Sequence, residues 1–234
     1  MLANQIPKVG VLIRREGGKP PSDLEIEKMK VIGILGGIAS GKSTLAGLFR
    51  QRGAVVADAD RMGHEVLKEK AVKREIHKLF GDEAFQADGE VDRRRLAAKV
   101  FGGHELSPVW LSELEKITHP RIRVRLEELI TECRSRPGEE PPALILDAAL
   151  LVRAGWSAIC DELVYIDAPR ADRWERARQR GWSESEFNAR EGAQEKLEAK
   201  RELSDFILCN GGDLAELDRQ VEHYWHEHVL SSAS

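Results

Sequence analysis

Residues 31–44 read Val31-Ile32-Gly33-Ile34-Leu35-Gly36-Gly37-Ile38-Ala39-Ser40-Gly41-Lys42-Ser43-Thr44. A β-branched apolar run leads directly into G-x-x-x-x-G-K-[ST], the phosphate-binding loop pattern, at 36–43. Each part has a physical job. The glycines allow positive φ and a tight turn, so that successive backbone N–H groups from Gly37 through Thr44 point at one anion. Lys42 adds a charge for the β- and γ-phosphates, and the Ser43 hydroxyl can ligate Mg²⁺. A helix beginning here aims its unpaired N–H groups at the same phosphates. The bland alternative is a glycine-rich turn that binds nothing. At average composition the full pattern arises by chance in about one chain in a hundred of this length. The flanking strand and the helix-like run Thr44-Leu45-Ala46-Gly47-Leu48-Phe49-Arg50 favour a nucleoside triphosphate site. The loop by itself does not separate a kinase from a GTPase or a motor.

The chain has 234 residues, enough for one domain or one core with a substantial insertion. A hydrophobic fraction of 41% argues against wholesale disorder. A net charge of −4 argues against a nucleic-acid partner held on a broad basic face. Cys133, Cys160 and Cys209 are far apart, show no C-x-x-C spacing, and read as thiols of a reducing cytoplasm. No apolar run approaches the length of a membrane span. Residues 1–29, with the turn-rich Gly17-Gly18-Lys19-Pro20-Pro21-Ser22, read as a mobile extension or an overlong start. Their Val9–Ile13 run is too short for a secretory signal.

From residue 31 onward, strand-like and helix-like segments alternate. Strands are expected at 31–35, 54–57, 143–147, 162–167 and 205–208, several of them unbroken apolar runs suited to parallel strands buried on both faces. A helix should open at Asp213, with Glu216 three residues on and Leu214, Leu217, Val221 and Trp225 along one stripe. The pattern predicts an α/β fold, a doubly wound parallel sheet of about five strands with ligands at the strands' carboxyl ends. Residues 61–135 break the rhythm and look helical apart from a turn at Asp88-Gly89, as an insertion beside the sheet would. The organisation expected is an extension over 1–29 and a single domain over 30–230. That domain has a core at 30–60 and 143–230, a helical insertion at about 61–135 and a small helical lid at about 173–200.

Asp58-Ala59-Asp60 puts two carboxylates just past the second expected strand. Either they cap a helix that opens at Arg61, or Asp60 accepts a proton from an attacking hydroxyl. Arg176 and Arg180 lie four residues apart on one helical face, either solvated with local ion pairs or facing phosphates. Ser183 and Glu186 form a capping-box pattern after Gly181, a candidate hinge. His64 follows Asp60 by one turn and could face an acceptor or simply solvent. His119-Pro120 reads as a helix break. Asp147 closes an apolar strand, and either caps a turn or orders the water around a magnesium ion.

As a whole the chain resembles the dephospho-coenzyme A kinase family. The resemblance rests on the loop at 36–44, Val56-Ala57-Asp58-Ala59-Asp60 with His64, His119-Pro120, Leu150-Leu151, and Val164-Tyr165-Ile166-Asp167-Ala168-Pro169. It continues through Arg176, Arg180, Gln194 and Asp205-Phe206-Ile207-Leu208-Cys209-Asn210-Gly211-Gly212. These pieces fall in the family's order over roughly 30–225. The resemblance implies ATP and Mg²⁺ as cofactors and transfer of the γ-phosphoryl group to the ribose 3′-hydroxyl of dephospho-coenzyme A. That small-molecule reaction is the last step of coenzyme A biosynthesis and needs neither nucleic acid nor membrane; the number of subunits is left open. It also implies Asp60 as base, Asp58, His64 and Gln194 as acceptor contacts, Arg176 as a lid arginine on the transferring group, and Arg180 and Asn210 on the nucleotide. One stretch departs from the family: Ala149-Leu150-Leu151-Val152-Arg153 stands where Pro-Leu-Leu followed by a glutamate is usual. Two other readings remain at this level: a phosphate-loop kinase of a nucleoside, nucleotide or sugar, and a nucleotide-binding homologue without catalysis. A regulatory GTPase would need a guanine-reading Asn-Lys-x-Asp segment, and the sequence has none.

Overall fold

The computed structural model describes residues 13–14, 29–135 and 140–231. Six strands form one sheet: β1 (Ile13–Arg14), β2 (Lys30–Gly36), β3 (Val55–Asp58), β4 (Ala143–Asp147), β5 (Glu162–Asp167) and β6 (Phe206–Cys209). Their order is β1-β6-β5-β2-β4-β3. The strand that feeds the phosphate loop is therefore interior, with β4 and β5 parallel on either side of it. β6 continues the parallel set beyond β5. Burial on both faces explains why β2 and β4 read as continuous apolar runs.

Nine α-helices are present among the described residues: α1 (Lys42–Gln51), α2 (Ala59–Val66), α3 (Lys70–Phe80), α4 (Arg93–Phe101), α5 (Ser107–Arg134), α6 (Arg170–Gln179), α7 (Glu184–Gly192), α8 (Leu197–Leu203) and α9 (Leu214–Tyr224). The chain divides into two compact units, 1–57 with 130–234, and 58–129. In the first, Leu45, Leu48 and Phe49 of α1 meet Leu217, Val221 and Tyr224 of α9 over the apolar face of the sheet. Phe49 and Tyr224 pack edge to face, with ring centroids 5.7 Å apart. In the second, Val72, Ile76 and Phe80 form the buried stripe of α3. Arg121 and Arg125 of α5 pair with Glu75 and Glu69, each at 2.6 Å.

Four expectations need amendment. Ile13 and Arg14 pair antiparallel with Ile207 and Phe206, adding a sixth strand along the open edge of β6. The rest of the extension, 1–12 and 15–28, lies outside the described residues. His119-Pro120 does not break a helix, because α5 runs through Pro120 for 28 residues. Ile117, Ile122, Leu126 and Ile130 are all buried along it. Their burial, at about 1.5–3 kcal/mol each, outweighs the ~3 kcal/mol that an interior proline costs. On α9, Asp213 does cap the helix by accepting from the Glu216 N–H at 2.8 Å, but Leu214 is exposed and Tyr224 takes its place in the core. The insertion also holds a small antiparallel bridge, Phe85 with Val91, around the turn at Asp88-Gly89.

Candidate active site

The phosphate loop leaves β2 at Gly36 and enters α1 at Lys42. Gly41 has φ of 103° and Ala39 56°, so the chain makes the left-handed turns that the glycine pattern anticipates. Two of the glycines leave no room for a side chain. A Cβ on Gly36 would fall 2.6 Å from the Ser40 hydroxyl, and one on Gly41 2.4 Å from the Asn210 amide nitrogen. No side chain caps α1, and its first turn carries no acid. Its leading N–H groups and positive dipole end are thus left to an external anion. The Lys42 ammonium lies 3.4 Å from the Gly37 carbonyl, folded back over the loop.

Three side chains brace the loop from behind. Asn210, buried at the end of β6, donates from Nδ2 to the Ser40 carbonyl at 2.7 Å. Arg176 donates to the same carbonyl at 3.2 Å and to the Asn210 carbonyl at 2.8 Å. Arg173, only 4% exposed, donates from Nε to Ala168 O at 3.2 Å and from Nη1 to Ile38 O at 3.5 Å. The same guanidinium meets Glu191 of α7 at 2.7 Å. Loop, α6 and α7 are therefore connected through one buried cation. Arg173 and Glu191 are functional candidates that sequence reasoning missed. The available signal was that Arg173, Arg176 and Arg180 follow i, i+3, i+7 spacing along one side of α6.

The α6–α7 segment rests on an apolar patch. Ala39 of the loop, Ala177 and Phe187 are buried together, with Ile38, Trp174 and Trp182 against them. The Ser183 hydroxyl caps α7 by accepting from the Glu186 N–H at 3.2 Å. Gly181 takes a φ of 82° between α6 and α7. Arg180 is exposed at the C-cap of α6. Arg178 and Glu175, which pair at 2.8 Å, form the solvated face of that helix. Gln194 is half-buried, and its Oε1 has no hydrogen-bond partner among the described residues. A buried acceptor of this kind invites a donor from a ligand.

Asp58 is the N-cap of α2, its Oδ1 accepting from Arg61 N–H at 2.9 Å, so the capping reading of this carboxylate holds. Asp60 follows in the first turn of α2, exposed, and His64 is exposed one turn later. Asp147 ends β4 in register with Ile34, two residues before the loop begins. Arg153 is exposed in the turns that follow Leu151.

The family model for dephospho-CoA kinase matches residues 30–216. A dephospho-CoA kinase of Aquifex aeolicus is 36% identical over 200 residues, spanning 85% of this chain and 97% of its own. One from Geobacter sulfurreducens is 38% identical over 200 residues, spanning 84% and 98%. Among solved structures, TT1252 from Thermus thermophilus superposes with a TM-score of 0.72 at 34% identity, covering 86% of this chain and 98% of that one. The dephospho-CoA kinase from Campylobacter jejuni shares the fold, with a TM-score of 0.64 at 23% identity over 86% of this chain and 98% of its own.

Proposed function

The chain belongs to the dephospho-CoA kinase family, and we propose that it phosphorylates the ribose 3′-hydroxyl of dephospho-coenzyme A with Lys42 and Asp60 as its principal groups. It is a kinase of the last step of coenzyme A biosynthesis. The observation that carries the reading is the braced phosphate loop, lying within a family match that spans 30–216.

In this reading the N–H groups of 37–44 bind the β- and γ-phosphates of ATP, and Lys42 draws off charge as the γ-phosphoryl group leaves. Phosphoryl transfer has a loose transition state, so positioning and charge neutralisation count for more than the strength of the base. Asp60 orients the ribose hydroxyl and accepts its proton. Asp58 shapes the start of α2 on which Asp60 stands. His64, one turn on, and Gln194, with its unpaired Oε1, are acceptor contacts. Arg176 is the lid arginine for the transferring group, and its contacts to the Ser40 and Asn210 carbonyls also hold the loop in its binding shape. Arg180 and Asn210 lie on the nucleotide side.

Mg²⁺ suits the donors present. Ser43 offers a hydroxyl in the first turn of α1, and Asp147 a carboxylate at the end of the neighbouring strand. Among the described residues no group of three or more His, Cys, Asp or Glu side chains could hold a metal by itself. Ser43 and Asp147 would hold the ion, which takes few protein ligands. When bound, it would neutralise charge on the β- and γ-oxygens. Among the described residues no helix is long and apolar enough to cross a membrane, and the proposed compartment is the cytoplasm.

Release of ADP, followed with candidate acceptors added one at a time, tests the reading. Turnover with dephospho-coenzyme A and a new 3′-phosphate in the product are expected. Turnover with another alcohol and none with dephospho-coenzyme A would overturn it. Asp60→Asn should leave ATP affinity nearly intact and reduce turnover at least a hundredfold, within the range for loss of general-base catalysis.

A further inference from the structure

Lys200 lies in α8 and is only 4% exposed, although the charged residues around it, Glu198, Arg201 and Glu202, are exposed or half-exposed. Lys200 lines a narrow crevice, too tight to hold a water, together with Lys42, Glu195, Gly36 and Ala148 beside the phosphate loop. The titratable groups on that crevice are two lysines and one glutamate, so it carries a net positive charge. Glu195 stands 3.7 Å from the Lys200 nitrogen, well beyond the 2.7–2.9 Å of a charge-assisted hydrogen bond. Burial lowers the pKa of this lysine, with Glu195 acting in the opposite direction. A buried ammonium with so distant a counter-ion is costly, and an anion seated on the adjoining phosphate loop would relieve that cost.

We propose that Lys200 is a second phosphate-directed lysine, binding the terminal phosphate of ATP beside Lys42 and held by Glu195 until the nucleotide arrives. Two considerations select the nucleotide over the diphosphate of the acceptor. Lys42, the loop lysine, shares the crevice with Lys200, and Gly36 on its wall begins the loop. The inference rests on the reading of that loop as the ATP site. Lys200 then contributes more in ATP than in ADP, because its partner is the group that ADP lacks. It would draw charge from the same oxygens as Lys42, from the α8 side.

The test compares binding of ADP with that of the β,γ-imido analogue of ATP, by calorimetry on the full-length chain without acceptor. Lys200→Met is expected to weaken the triphosphate analogue at least tenfold and ADP less than twofold. Equal weakening of both, or of neither, overturns the assignment, as does a change confined to the KM of dephospho-coenzyme A. If Lys200→Met fails to fold, Glu195→Gln decides, since Glu195 is only partly buried. Freeing the ammonium should tighten the analogue about threefold relative to ADP, and an unchanged or reduced ratio sinks the proposal. A parent enzyme that binds neither nucleotide would reject the loop reading itself. A parent that binds both, with a ratio insensitive to residue 200, would reject Lys200 alone.

Discussion

The side-chain amide of Asn210 donates to the carbonyl oxygen of Ser40 at 2.7 Å, joining the end of β6 to the apex of the phosphate loop. Arg176 reaches that same oxygen from α6 and ties it to the Asn210 backbone carbonyl. The loop's inward N–H groups are therefore fixed by what grips its outward carbonyls. A loop held in its binding shape before nucleotide arrives avoids much of the ordering cost of association.

Asn210→Ala should remove one arm of that brace. The Ser40 carbonyl keeps only the longer Arg176 contact, and a buried polar group short of a partner costs about 1–3 kcal/mol. A lowered melting temperature is expected, with a raised KM for ATP and an unchanged KM for the acceptor. Asn210→Asp should be worse, since a carboxylate would face the carbonyl oxygen. Steady-state kinetics with each substrate varied separately checks both. Equal effects on the two KM values would contradict the placement.

Gly41→Ala tests the same contact from the loop side. Its φ of 103° strains any L side chain, and the added methyl would sit 2.4 Å from the Asn210 nitrogen. The amide would have to give up Ser40, so loop and brace fail together. The expected outcome is a folded protein whose melting temperature no longer rises with ATP. A thermal shift equal to that of the parent would show that the loop tolerates the methyl group.

The sheet was largely legible in the sequence because its interior strands are buried on both faces. The expected bounds for β4 and β5 coincide with the observed ones, and those of β2, β3 and β6 differ by one residue at each end. The phosphate loop was legible for a different reason: its chemistry demands particular residues at fixed spacing. Pro120 was misread because a local rule was applied where long-range burial decides. Arg173 was missed because a charged residue in a charged helix gives no local sign that its guanidinium is buried under the loop. Lys200 was hidden in the same way. Burial of long cationic side chains is a property of the tertiary fold, and neighbouring residues do not reveal it.

Glu191→Gln should separate the buried member of the two ion pairs made by Glu191 from the exposed one. Glu191 meets Arg173, whose side chain is 5% exposed, and also Arg170, whose side chain is 54% exposed. Removing the carboxylate leaves the buried Arg173 with only the Ala168 and Ile38 carbonyls. Because the Glu191 side chain is 24% exposed, the loss should be about 2–3 kcal/mol, below that of a fully buried pair. Arg170→Gln removes the exposed pair with Glu191, together with a hydrogen bond to Asn188 and a contact over the Phe187 ring, and should cost about 1 kcal/mol. Urea denaturation of the two variants compares them directly. If both cost the same, Arg173 is not held by Glu191 in solution.

The three thiols supply a prediction in which pH carries the sign. Burial pushes the Cys160 thiol up to about 12, aided by the negative charge of Asp161. Burial likewise raises Cys209, and Cys133 is 2% exposed. An unfolded cysteine titrates near ~8.5. Between that value and about 12, native Cys160 keeps a proton that the unfolded chain has released. The folded state then binds more protons, so raising the pH favours unfolding. This contribution is fully present below about pH 8.5 and is lost progressively toward pH 12, at ~1.4 kcal/mol per unit where only the unfolded thiol is charged. At pH 8 the thiolate fraction of native Cys160 is on the order of 10⁻⁴, because its pKa is about 12. A disulfide reagent should therefore leave Cys160 and Cys133 unmodified in the folded enzyme and react with all three cysteines in concentrated guanidinium. Peptide mapping assigns the sites. Rapid labelling of Cys160 in folded protein would mean that the loop after β4 opens far more readily than its packing indicates.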